Sequence, residues 1–278
     1  MRFFCLLVLA TITASGCFPW KNPDKPREYR SLTAALKDSD KVEFLNLYES
    51  NLREVPADMF KLSRLKELRL RKNAIVNVPA GLSGLKDLAG LDLGECQLAA
   101  VPPDLASMPG LKRLWLNDNA IVTLPSSMGG MASLEYLNLD RNRLGVLPDE
   151  IGNLKKMKYL RLNENSITNL PSTLKDLVGL ERLYLGRNAI KVLPDSIGQM
   201  AGLRHLDLRE NGLTELPGSL TALVNLEDLD LQGNGLTRLP KDMGKLQKLK
   251  NLRLERNRIS KEEIQKLKAL LPDCFVVF

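Results

Sequence analysis

Residues 134–156 read LEYLNLDRNRLGVLPDEIGNLKK. Leu137 and Leu139 alternate with Tyr136, Asn138 and Asp140, and a period of two makes a short strand with its leucines facing inward. Asn142 closes that strand. Leu147-Pro148 then turns the chain along an outer side, where proline fits because no ladder hydrogen bond is needed from its nitrogen. Ile151 and Leu154 pack back inward.

The same pattern extends in both directions. Prolines fall at 56, 79, 102, 125, 148, 171, 194, 217 and 240, a constant spacing of 23, and each follows Leu or Val. Ten units start at 42, 65, 88, 111, 134, 157, 180, 203, 226 and 249, with leucine at the fourth and sixth position of every one, from Leu45 and Leu47 to Leu252 and Leu254. Internal repeats of this length signify stacked architectures, because one unit cannot bury its apolar face alone.

The pattern Leu-x-x-Leu-x-Leu-x-x-Asn-x-Leu-x-x-Leu-Pro resembles a leucine-rich repeat, and its proline marks a subtype similar to the Ras-group and ROCO-type repeats. The resemblance covers residues 42–278 and implies an α/β fold: a curved horseshoe solenoid of ten coils with a parallel concave sheet. It also implies that the asparagine lies inside each turn, where its amide satisfies backbone groups that neighbouring coils leave unpaired. That column reads Ser50, Asn73, Cys96, Asn119, Asn142, Asn165, Asn188, Asn211, Asn234 and Asn257. Ten strands at ~4.8 Å would span roughly 43 Å along the inner edge.

Both ends of such a stack need lids. Residues 28–41 form the expected N-terminal cap, with a helix over Glu28–Lys37 that places Tyr29, Leu32, Ala35 and Leu36 on one face. Repeats fill 42–259, and 260–278 form the C-terminal cap. There, Ser260 followed by Glu263 is a capping-box signature, opening a helix to Leu271 that Pro272 stops, and Phe275–Phe278 reads as a last strand. The array is expected to close at this cap, without an appended domain.

Residues 1–16 read as a secretory signal: Arg2 is basic, Phe3–Ile12 is largely apolar, and Ala14-Ser15-Gly16 are small. Ala-Ser-Gly-Cys resembles a bacterial lipoprotein lipobox, which implies acylation of Cys17 and attachment to a membrane of the cell envelope. Phe18 after Cys17 resembles outer-membrane sorting in Gram-negative bacteria. Several acyl chains, at ~0.8 kcal/mol per buried CH₂, would hold stably. The alternative is an ordinary signal cleaved near Gly16, leaving a free thiol on a periplasmic or secreted protein. Residues 17–27 carry Pro19, Pro23 and Pro26, a linker able to hold the domain roughly 30 Å from a bilayer.

Composition narrows the chemistry. The chain has 278 residues, a length whose prior is about two domains. Its 44% apolar and 26% charged residues exclude collagen-like, disordered and polytopic membrane classes. The net charge is +7, or +6 without Arg2, a modest excess among 73 charged side chains that gives no reason to expect nucleic acid. One histidine and four cysteines argue against a metal site or a disulfide framework, so no cofactor or metal is expected. Cys96 and Cys274 would lie about seven coils, or ~34 Å, apart and are expected reduced and buried, since a disulfide needs Cα atoms within ~7 Å. His205 with Asp207 resembles half of a catalytic relay, but no nucleophile accompanies them: Ser196 and Ser219 fall on the convex segments. No enzyme activity is expected.

Variety is concentrated on the positions that face the concavity. The third position reads Phe44, Glu67, Gly90, Arg113, Tyr136, Tyr159, Arg182, His205, Asp228 and Asn251; the fifth includes Trp115, Asn138, Arg161, Tyr184 and Asp207. Arg113, Trp115, Tyr136, Asn138, Tyr159, Arg161, Arg182, Tyr184 and His205 are therefore the candidate partner-binding residues, since Tyr, Trp and Arg dominate interface energetics. The competing role for the same side chains is stacking on one another across strands, worth ~0.2–1 kcal/mol per pair. A binding role requires Tyr136 and Tyr159 to share one side and to be open to solvent. At the eighth position Asp118, Arg141, Glu164, Arg187 and Glu210 alternate in sign and should neutralise one another. Asp207, Asp228 and Asp230 should pair with Arg209 and Arg253 instead of binding a cation. The expected function is recognition of a protein or peptide by a monomer. A carbohydrate or peptidoglycan ligand and a structural spacer in the envelope are the alternatives.

Overall fold

The computed structural model describes residues 27–278. The signal, Cys17 and the linker up to Pro26 lie outside the described residues. Twelve strands form one open, curved, wholly parallel sheet in chain order. They are β1 Glu28–Tyr29, β2 Phe44–Asn46, β3 Glu67–Arg69, β4 Gly90–Asp92, β5 Arg113–Trp115 and β6 Tyr136–Asn138. The rest are β7 Tyr159–Arg161, β8 Arg182–Tyr184, β9 His205–Asp207, β10 Asp228–Asp230, β11 Asn251–Arg253 and β12 Phe275–Val277.

Register follows the sequence period. Tyr136 lies opposite Tyr159, Leu137 opposite Leu160 and Asn138 opposite Arg161, and the same step of 23 residues links each strand from β2 to β10 to the next. Inward leucines consequently stack on inward leucines: Leu137, Leu139, Leu160 and Leu162 are all 0% exposed. Burying each stabilises the coil by about 1.5–3 kcal/mol. On the convex side Pro148 is extended (φ −70°, ψ 151°) and leads into a 3-10 helix, Asp149–Asn153, whose Ile151 is buried. Short 3-10 helices recur there in the neighbouring coils. They pack so closely that a Cβ on Gly198 would meet the Ser219 carbonyl oxygen at 2.1 Å.

The asparagine column does what the resemblance implies. Asn142 Nδ2 donates to the carbonyls of Leu116 (2.9 Å) and Leu139 (3.1 Å), while its Oδ1 accepts from Ile121 N–H (3.0 Å). One amide thus ties its own turn to the preceding coil. Cys96 is a weak substitute: its Sγ reaches the Leu70 carbonyl at 3.5 Å. The residue before the column holds the turn in the left-handed region, with φ of 58° at Asp118, 54° at Arg141 and 56° at Glu164. These are ordinary L-residues in a conformation that usually favours glycine; only Gly233 (φ 68°) supplies one at this position. Their charges pair across coils, as the alternation predicts: Arg141 with Asp118, and Arg187 with Glu164 (3.7 Å) and Glu210 (3.0 Å).

The N-terminal cap differs from expectation. Its helix, α1, covers only Leu32–Lys37, with Ser31 as N-cap accepting from Ala34 N–H. Glu28–Tyr29 is instead strand β1, paired with β2. Tyr29 is more useful there: its ring is buried (5% exposed) and its hydroxyl donates to Asp38 at 2.9 Å. At the other end α2, Lys261–Leu270, starts at Ser260, whose side chain accepts from Glu263 N–H. Strand β12 follows and closes the sheet against β11. Cys96 and Cys274 are both free thiols, but Cys274 is only half-buried, contrary to the expectation that both are buried.

Candidate concave binding face

The sheet brings the nine predicted residues onto one face. Arg113, Tyr136, Tyr159, Arg182 and His205 are successive register partners, and Trp115, Asn138, Arg161 and Tyr184 form the parallel row. Tyr136 and Tyr159 share one side, with ring centroids 6.3 Å apart, and Trp115 lies 5.0 Å from Tyr136.

Exposure divides this set. Tyr159, Arg182, Tyr184, His205, Asn138 and Arg113 are half-buried, whereas Trp115 (9%), Tyr136 (3%) and Arg161 (8%) are buried. The requirement that both tyrosine rings be open to solvent holds for Tyr159 and fails for Tyr136. Arg161 is spoken for within the chain: its guanidinium pairs with Asp140 at 2.5 Å and lies over the Tyr184 ring at 4.8 Å. Asp140 also accepts from Asn163 N–H at 2.7 Å. Burial raises the Asp140 carboxyl above its ordinary range, and the Arg161 charge opposes that rise.

Arg113 is likewise engaged, with Glu67 two strands away. Gly90 stands between them, and a Cβ there would meet a Glu67 carboxylate oxygen at 1.9 Å. The missing side chain on β4 is what lets Glu67 cross to β5. Burial raises the Glu67 carboxyl, against the pull of Arg113.

His205 does not join Asp207. Its Nδ1 donates instead to Asp228 on β10, at 2.5 Å. Asp228 also accepts from Asn251 Nδ2, and these bonds, the one from His205 foremost, hold its carboxyl below the usual range. Cross-strand neighbours 23 residues apart are in closer register than residues two apart along one strand, which sequence spacing alone did not reveal. The other two aspartates pair as expected, Asp207 with Arg209 (3.6 Å) and Asp230 with Arg253 (3.1 Å). Burial pushes the Asp207 carboxyl up to about 6. Among the described residues no group of three or more His, Cys, Asp or Glu side chains is arranged to hold a metal ion.

This geometry, a parallel sheet of equal coils with a chemically varied inner face, defines a solenoid of the leucine-rich class. The family model "Leucine rich repeat" matches residues 40–98, 89–144, 178–236 and 201–259, and "Leucine-rich repeat region" matches 126–206. The chain therefore belongs to the leucine-rich repeat family. Comparison with curated proteins finds no match. Among solved structures, an internalin (inlF) from Listeria monocytogenes str. 4b F2365 is 24% identical with a TM-score of 0.75, over 89% of this chain and 70% of that one. A TDR receptor is 24% identical with a TM-score of 0.76, over 92% of this chain and 50% of that one. The plant peptide hormone receptor RGFR1, solved in complex with RGF2, is 27% identical with a TM-score of 0.74, over 90% of this chain and 41% of that one. This chain thus spans half or less of the two receptors.

Proposed function

We propose that this protein is a non-catalytic recognition module, exported and lipid-anchored at Cys17, that holds a protein or peptide on its concave sheet. One observation carries the reading. The inward position of every strand from β2 to β11 is leucine, while the row Tyr159, Arg182, His205, Asp228 changes chemistry at every strand and stays partly open to solvent. A scaffold that keeps its interior constant and varies one surface is suited to binding through that surface. Half-exposed Tyr159, Tyr184 and Arg182 are of the residue types that anchor interfaces. The plant peptide hormone receptor of the same fold was solved in complex with RGF2, which supports a peptide as the class of ligand.

Anchoring rests on the Ala-Ser-Gly-Cys sequence before the linker. Mass spectrometry of the mature N-terminus tests it: an acylated Cys17 supports an envelope lipoprotein, and an unmodified Cys17 overturns it. Recognition is tested by capture from envelope extracts with the wild type and with Tyr159→Ala/Tyr184→Ala. Loss of capture by a variant that still melts like the wild type supports the concave site. Glycan-array binding without protein capture overturns it in favour of a carbohydrate ligand.

A further inference from the structure

The arginines of the concave sheet from β5 to β11 are not equivalent. Arg113, Arg161 and Arg253 each pair with a carboxylate of this chain, namely Glu67, Asp140 and Asp230. Arg182 makes no such pair among the described residues. It sits over the Tyr159 ring, 5.5 Å from its centroid, and reaches the Tyr184 hydroxyl at 3.4 Å. The nearby carboxylate, Asp228, is already committed: one oxygen accepts from His205 Nδ1 and the other from Asn251 Nδ2. A half-buried guanidinium steadied by two aromatic side chains has lost rotamer freedom in advance, and it retains donors in a planar fork that matches a carboxylate.

We infer that Arg182 is the anchor for a single carboxylate of a peptide ligand, an Asp or Glu side chain or a free C-terminus. The inference deepens the proposed recognition function and rests on it. Local charge selects the ligand. Asp207 and Asp230, beyond Tyr184 in the neighbouring row, pair with Arg209 and Arg253. Asp228, on the next strand but one, is bonded to His205 and Asn251 and feels the Arg182 charge without forming an ion pair with it among the described residues, so one guanidinium fork is left to be met. A dianion such as phosphate, or a polyanion such as nucleic acid or an acidic polysaccharide, would bring more negative charge than this one fork offsets, with the Asp228 carboxylate close by. A monoanionic group carried between apolar side chains fits, with the Tyr159 and Tyr184 rings beside it supplying contact area.

The test is selection of a displayed random heptapeptide library on the immobilised full chain, followed by affinity measurement on synthetic versions of the selected peptides. The expected result is enrichment of peptides with one essential carboxylate. Their affinity should fall at least about tenfold both when that group is made neutral (Glu→Gln or an amidated C-terminus) and when the protein carries Arg182→Gln. Arg182→Lys should recover only part, because an ammonium lacks the fork. A structural role is separated by the melting temperature, which should be unchanged in Arg182→Gln, and by the Cε1–H resonance of His205, the only histidine. That signal should move on peptide addition to the wild type and not to the variant. Selected peptides without a carboxylate, or peptides bound equally by Arg182→Gln, overturn the inference and leave the recognition function standing. Selection of no peptide overturns the inference, and the recognition function is then decided by capture from envelope extracts. Oligogalacturonate binding that depends on Arg182 overturns the assignment to a peptide.

Discussion

Asn142 Oδ1 accepts the N–H of Ile121 at 3.0 Å, so a side chain of one coil closes the backbone of the coil before it. The same bond joins Asn165 to Leu144 and Asn188 to Ile167. Coil-to-coil cohesion therefore has a polar spine as well as a leucine core, and the spine makes the first prediction.

Asn142→Ala leaves the Ile121 N–H and the Leu116 and Leu139 carbonyls without this buried partner, and should cost about 2–4 kcal/mol, read from the denaturant midpoint. The reverse change is open at Cys96, whose thiol bonds weakly where eight of the other nine coils have an amide. Cys96→Asn should stabilise by about 0.5–1.5 kcal/mol in the same measurement.

The convex side predicts a contrast between two glycines. Gly198→Ala drives a methyl into the Ser219 carbonyl and should destabilise by about 1–3 kcal/mol. Gly145→Ala meets nothing within 4 Å and should be neutral or slightly stabilising, since it only restricts the unfolded chain. Thermal melts of the two variants check both.

Arg161 was expected to meet a partner, yet its guanidinium is buried against Asp140, whose side chain is 3% exposed. Arg161→Ala should therefore act on folding, costing about 3–5 kcal/mol by stranding a buried carboxylate. Arg161→Ala/Asp140→Asn should regain part of that loss, because the uncompensated charge is gone. Chemical denaturation of the single and double variants distinguishes this from a surface role.

Asp207 gives a pH prediction. Its carboxyl is raised to about 6 in the folded protein, against ~3.9 in the unfolded chain. Between those values the folded state binds the extra proton, so this group's contribution falls as pH rises through ~4 to 6, by up to about 3 kcal/mol at pH 7. Asp207→Asn keeps an acceptor for the Arg209 N–H, now at 3.1 Å from the carboxylate. The variant should melt higher than the wild type at pH 7.5 and show little gain at pH 4.

The fold was legible because spacing is a strong signal: nine prolines and twenty leucines at one period allow a single stacked arrangement. Where the period stops, the sequence became harder to read. Tyr29, Leu32 and Leu36 share helical spacing, yet Tyr29 belongs to a strand because its ring has a core to enter beside β2, and the Ser31 cap marks where α1 begins. Strand alternation put the nine candidate residues on one face, and the register agrees. It did not disclose which members bind one another, since Arg161 meets Asp140 and His205 meets Asp228 only across strands. The left-handed turn position was hidden for another reason: charged residues occupy it in nearly every coil, where glycine or asparagine would have signalled it.

The central claim is that recognition belongs to the concave face around Tyr159 and Tyr184. The direct measurement is photo-crosslinking in envelope extracts, with a benzophenone amino acid placed at Tyr184 in one variant and at Val178, an exposed site off the concave sheet (69% accessible), in another. A discrete protein or peptide adduct from position 184, absent from position 178, is the predicted result. Equal adducts from both positions, or adducts from position 178 alone, would contradict it.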